Sequence, residues 1–294
     1  MNQKYKGIIY ILCAAFCFAL MNAFVRLSGD LPSVQKSFFR NVVAAIFAFI
    51  ILKKNGMKIS HNKENLGLLI ARSTFGTIGI LCNFYAVDHL VLSDASMLNK
   101  MSPFFAIIFS YLFLKERINL VQGIGVIVAF IGSLFIIKPT FSNMALVPSV
   151  IGLIGGIGAG AAYTAVRKLG QRGEKGPCIV FFFSSFSCLV TLPYLIFDYH
   201  PMSINQFITL LLAGFAAAGG QFAITAAYCC APAKEISVYD YSQVIFAAIF
   251  GFFLFGQVPD GLSILGYILI CGMAVLMFLY NTGKLKMFRG NREK

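Results

Sequence analysis

Of 294 residues, 59% are hydrophobic and only 12% charged, with a mean hydropathy of +0.81. A water-soluble domain carries about 25% charged residues, so this chain is excluded from that class and needs lipid around it. The net charge of +13 invites a nucleic-acid partner, but the basic residues fall in short segments between apolar runs, and no nucleic acid is expected.

Taken in order, the apolar runs predict helices over 7–27, 34–53, 66–87, 95–114, 119–137, 148–168, 177–197, 206–228, 236–256 and 262–281. Each is near the roughly 20 residues that a bilayer crossing takes. Lys4 and Lys6 precede a first run that is too long for a signal-peptide core, so it reads as a membrane helix. The breaks carry turn chemistry or charge: Leu31-Pro32, Lys54-Asn55-Gly56, Lys138-Pro139, Gly173 to Pro177, His200-Pro201 and Pro259-Asp260-Gly261.

Loop charge tests this map. With the N-terminus in the cytoplasm, inner segments hold most of the 24 basic residues, among them Lys53, Lys54, Arg117, Arg172 and Lys234. Outer segments hold only Arg26, Lys36 and Lys138, and Arg40, Arg72 and Lys100 lie within helices. This is the cytoplasmic bias of membrane proteins, and it predicts ten helices with both termini inside.

The chain also repeats itself. A shift of about 141 residues lays Arg26 on Arg167, Asn99 on Asp240, Lys100 on Tyr241, Ser102 on Gln243, and Phe105, Ala106 and Phe109 on Phe246, Ala247 and Phe250. The shift slips by about four residues at the second and seventh helices. Two repeats are expected, 1–140 and 141–284, followed by a basic tail, 285–294. Five helices per repeat is odd, so the second repeat enters the membrane from the opposite side. An inverted pair of this kind forms one central site exposed alternately to each face. Gly152, Gly156 and Gly160 recur on one face of the sixth helix, where small residues let helices approach closely in lipid.

The eight cysteines lie in apolar runs without metal-ligand spacing. Neither disulfides, a metal nor a cofactor is expected. His61, His89 and His200 sit in or beside loops, in no catalytic arrangement, so enzyme activity is not expected. No Gly-x-x-x-x-Gly-Lys loop is present to bind ATP.

Phe84-Tyr85-Ala86, Ser93-Asp94-Ala95, Ser102-Pro103-Phe104 and Leu114-Lys115-Glu116-Arg117 resemble the drug/metabolite transporter superfamily of EamA type. So do Tyr228, Ala231-Pro232-Ala233 and Gly251 to Gln257 in the second half. Arg40 and the stretch from Arg72 to Gly76 are similar to the solute carrier family 35 group G branch. The resemblance implies a ten-helix permease for small metabolites in the cell membrane, with the fifth and tenth helices peripheral. Two departures stand out: Gln257 replaces the usual acidic residue, and Val244 replaces a partner for Pro103.

A charge in the hydrocarbon costs about 2.5–3.5 kcal/mol on insertion scales, and four sit there: Arg40, Arg72, Lys100 and Asp240. Counting 1.5 Å per residue from the helix ends puts Lys100 about a dozen Å from Asp240 along the membrane normal. On that count Arg72 is the better partner for Asp240. The functional expectation is a cation-lined cavity for substrate, formed by Lys100, Arg40, Arg72, Asn99, Ser102, Tyr85, Tyr241 and Gln243, with Asp240 as gate or proton site. Asn22, Asn83 and Tyr163 are further cavity candidates. The competing structural readings are snorkelling of the two arginines, a Lys100 bonded to a backbone carbonyl, and an Asp240 that only pairs with Arg72.

The function expected is secondary active transport of a small polar metabolite, an amino acid or organic anion, with a coupling proton or ion, as monomer or dimer. The alternative is an exporter of cationic or amphipathic compounds, or a lipid flippase.

Overall fold

The computed structural model describes residues 3–56, 63–89, 98–117, 119–137, 146–256 and 258–281. The Ser93-Asp94-Ala95 motif, Gln257, His61, the Lys138-Pro139 break and the basic tail lie outside them. Every regular element among the described residues is helical: α1 (Gln3–Leu27), α2 (Ser33–Lys54), α3 (Lys63–His89), α4 (Ser102–Leu114), α5 (Leu120–Ile137), α6 (Leu146–Gln171), α7 (Gly176–Phe197), α8 (Ile204–Cys230), α9 (Ala233–Asp240), α10 (Ser242–Phe255) and α11 (Gly261–Asn281). Eight segments are long and apolar enough to cross a membrane, with Ala233–Phe255 counted as one, and α4 and α5 are shorter apolar helices. Phe197, Phe253 and Phe113 stand 87%, 76% and 72% exposed, which only a lipid surrounding makes favourable.

The helices lie where the apolar runs place them, with two differences. The fourth is interrupted by a turn at Lys100-Met101, with Leu98 and Asn99 helical before it and α4 starting at Ser102. Pro103 occupies its first turn, where the missing N–H has no intrahelical role; residues 95–97 lie outside the described chain. The ninth predicted helix is interrupted at Tyr241, which divides α9 from α10. Both interruptions fall at the polar positions that the repeat superposes.

The helix ends repeat too. α4 stops at Lys115 with φ 55° and α10 stops at Gly256 with φ 64°, 141 residues apart. Gly adopts this left-handed cap freely, whereas Lys115 is the one non-glycine with positive φ among the described residues.

Packing crosses between the halves. α1 lies along α8 and α3 along α6, which are equivalent pairings under the repeat, and α2 packs on α7. α5 and α11 pack mainly on each other, to one side. The α3–α6 seam is tight because it is backbone on backbone. A Cβ placed on Gly79 would lie 3.1 Å from Ala159 N, and one on Gly158 would lie 2.9 Å from Phe75 O.

Candidate substrate cavity and its closed end

A cavity of about 100 Å³ lies inside the bundle. α1 contributes Phe18, Met21 and Asn22, α2 Arg40, and α3 Arg72, Gly76 and Asn83. Asn99 enters from the helical residues before the Lys100-Met101 turn, Tyr163 from α6, Phe183 from α7, Gln221 from α8 and Gln243 from α10. Asn22, near the C-terminal end of α1, is exposed, so the cavity communicates with that end of the bundle. Among the described residues no Asp or Glu lines it.

Arg72 is 2% exposed. Its guanidinium carbon sits 3.8 Å above the centre of the Phe183 ring, and Nη2 donates to Gln221 Oε1 at 3.1 Å. The stack and the single bond hold the planar group while leaving Nε without a partner. Gly76, one turn along α3, makes room for it, since a Cβ there would overlap Arg72 Nη1 and come within 2.8 Å of Phe183. Arg40 is 5% exposed, and its Nε also has no partner among the described residues.

The Lys100 ammonium lies 3.3 Å from Asp240 Oδ2 and donates also to the Asp240 carbonyl and to Gln243 Oε1, at 3.3 and 2.7 Å. The expectation that Arg72 pairs with Asp240 is therefore corrected. Counting depth along ideal helices misses two things: the turn at Lys100-Met101 shifts the helix, and the four-carbon lysine stem spans the remaining gap. Tyr241, fully buried, donates its hydroxyl to the Lys100 carbonyl at 3.2 Å. Lys100 thus does bond to a backbone carbonyl, and to a carboxylate as well.

The opposite end of the cavity is shut in layers. Tyr163 stacks on Tyr228 with ring centres 4.9 Å apart and planes 13° from parallel. One turn further along α6, Arg167 Nε donates to Glu116 Oε1 at 3.0 Å and its Nη1 to the Cys229 carbonyl at 3.3 Å, while Gln171 also reaches Glu116. Beyond them Arg172 donates to the Glu64 carbonyl, Asn65 to Glu174, and Lys234 to the Arg117 carbonyl. At the other end Arg26, the repeat equivalent of Arg167, lies over the Phe255 ring at 4.6 Å.

Of the residues expected at the site, Arg40, Arg72, Asn99 and Gln243 line the cavity, and Lys100, Asp240 and Tyr241 form the polar knot beside it. Asn22, Asn83 and Tyr163 line it as well. Tyr85 does not: it is 37% exposed and stacked on His89, with ring centres 4.0 Å apart. Its position on α3 differs from Asn83 by two residues, which on a helix turns it away from the cavity. Ser102 is buried but does not line the cavity. Sequence reasoning missed Phe183, Gln221 and Gly76. Gln221, a carboxamide amid the small apolar residues of α8, was the readable signal among them.

A profile of the EamA-like transporter family matches residues 5–138 and again residues 148–279. The chain belongs to this family. Among curated relatives it is 34% identical to the pseudopaline exporter CntI of Pseudomonas aeruginosa, over 90% of this chain and 93% of that protein. It is 27% identical to the riboflavin transporter of Vibrio cholerae, over 96% of each chain. It is 26% identical to human solute carrier family 35 member G1, over 86% of this chain and 73% of that one. A solved crystal structure with 12% identity superposes at a TM-score of 0.80 over 95% of this chain and 98% of its own, which speaks to the fold alone. This EamA protein is a multi-pass protein of the cell membrane, and the names of the pseudopaline and riboflavin relatives indicate transporters of small metabolites rather than enzymes.

Proposed function

We propose that this EamA protein is a secondary active transporter that moves a small polar metabolite by alternating access between two inverted five-helix repeats, with both termini cytoplasmic. The observation that carries this is the cavity itself. It is polar, buried, reachable from one end and shut at the other by the Tyr163–Tyr228 stack and the Glu116–Arg167 pair. That asymmetry fits one of the two states an inverted pair adopts. With the N-terminus inside, the open end faces outward and the latch lies on the cytoplasmic side. The sequence likeness to an exporter supports movement out of the cell, and the lack of acidic residues among the described cavity lining weighs against cationic cargo.

Purified protein in liposomes, loaded with one radiolabelled metabolite at a time, tests this. Saturable, protein-dependent exchange of an organic acid or amino acid is the expected result. Lack of flux across a broad metabolite panel, in vesicles where the protein is folded and oriented, would sink the proposal.

A further inference from the structure

Resting on the transport reading of this cavity, we infer that its substrate is a small organic dianion, whose carboxylate or phosphate groups are held by Arg40 and Arg72. Both guanidiniums line the cavity, from different helices, at 5% and 2% exposure, and the Nε of each is buried with no partner among the described residues. A buried donor left unmade is costly, and a buried charge left uncompensated more so. Lys100 does not share the task, because Asp240 already answers its charge. Among the described residues, the cavity lining therefore carries two positive charges and no Asp or Glu.

The charge count selects the cargo. A cation is repelled, a zwitterion brings no net neutralisation, and a monoanion leaves one guanidinium uncompensated. A dianion neutralises both. Guanidinium presents a planar fork that matches carboxylate and phosphate oxygens. Arg72 is already oriented for this by Phe183 beneath it and by Gln221 at Nη2. The carboxamides of Asn22, Asn83 and Asn99 add neutral donors and acceptors for hydroxyl or amine groups on the body of the molecule.

The test is thermal unfolding of the full chain in nanodiscs at constant ionic strength, with succinate, glycerol phosphate, lactate and glycerol as probes. A ligand that binds only the folded state raises Tm. A dianion is expected to half-saturate the shift at a concentration at least about tenfold below that of lactate, each guanidinium contributing a charge-assisted bond. Succinate alone points to a dicarboxylate, and glycerol phosphate alone to a phosphate ester. Arg40→Gln and Arg72→Gln should each abolish the dianion preference. Arg40→Lys, which keeps the charge and loses the fork, should retain part of it. Should the glutamine variants fail to fold, the wild-type ratio of dianion to monoanion decides alone. Equal stabilisation by lactate and succinate, stabilisation only by cationic or neutral probes, or no stabilisation by any dianion overturns the inference. Flux of a neutral or cationic solute without dianion binding overturns it while leaving the transport reading intact. Dianion binding without flux does the reverse.

Discussion

Tyr241 and Lys100 occupy the same position in the two repeats, and they touch: the Tyr241 hydroxyl donates to the Lys100 carbonyl at 3.2 Å across 141 residues of sequence. Equivalent positions in contact must lie where the pseudo-two-fold relation passes through the molecule. On the proposed alternating-access mechanism, that point moves least. The Lys100 ammonium meets Asp240, the residue before Tyr241, so the tie is made in both directions.

Removing one member of this knot should cost far more than removing both. Lys100→Met leaves the Asp240 carboxylate buried and unpaired, and is expected to destabilise by about 3–5 kcal/mol. Lys100→Met with Asp240→Leu should recover at least half of that loss. Unfolding in mild detergent, arranged as a double-mutant cycle, measures the coupling. Equal losses in the single and double variants would mean that the pair contributes packing only.

The Glu116–Arg167 latch predicts a change in access. Glu116→Gln removes the charge partner of Arg167 while sparing its bond to the Cys229 carbonyl. A stability loss of about 1–3 kcal/mol is expected for one charge-assisted bond at a mostly buried site. The sharper readout is thiol labelling of Cys229, half-buried and tied through its carbonyl to Arg167. Labelling from the side of Glu116 should speed up in the variant, and an unchanged rate would remove the latch from the gating path.

The helix positions were legible in the sequence because they follow from apolar run length. The repeat was legible because residues such as Arg26 and Arg167, or Phe105 and Phe246, recur at one shift, and the matching helix stops at Lys115 and Gly256 fall on that same shift. The charged residues in the membrane were legible for the same reason: each is costly there and so stands out. Their partners were not. Whether Asp240 meets Lys100 or Arg72 depends on a one-residue turn at Tyr241 and on side-chain reach, which helical spacing does not encode. Phe183 and Gly76 serve Arg72 through ring orientation and absent volume, and an apolar sequence hides both. Tyr85 failed as a cavity residue because two positions along α3 reverse its direction, and the expected boundaries are no finer than that.

Gly76→Ala should separate function from folding. The added methyl overlaps Arg72 Nη1 and presses on Phe183, so the guanidinium has to leave its stack. Overpacking of this kind costs about 1–3 kcal/mol, which a folded membrane protein can survive. Substrate affinity should fall by about tenfold or more, because a charge-assisted contact is lost or misplaced. Gly123→Ala, where nothing lies within 4 Å, is the control and should leave transport unchanged. If Gly76→Ala keeps wild-type affinity, Arg72 does not need its position against Phe183.

Lys115→Gly examines the duplicated helix stop. Lys115 holds φ 55°, a left-handed backbone that costs a side-chain-bearing residue about 1–2 kcal/mol. Its repeat equivalent, Gly256, adopts φ 64° without that penalty. Glycine relieves the strain but loosens the unfolded chain, an opposing effect of about 0.4–1 kcal/mol. The expected net is a gain of up to about 1 kcal/mol, read as a small rise in Tm. Since the next residue is Glu116, the same variant reports on the gate. A stop held only by backbone geometry gives higher Tm with unchanged flux. If Tm falls, the lysine side chain contributes at this end of α4 beyond its backbone, and the latch extends one residue further than Glu116.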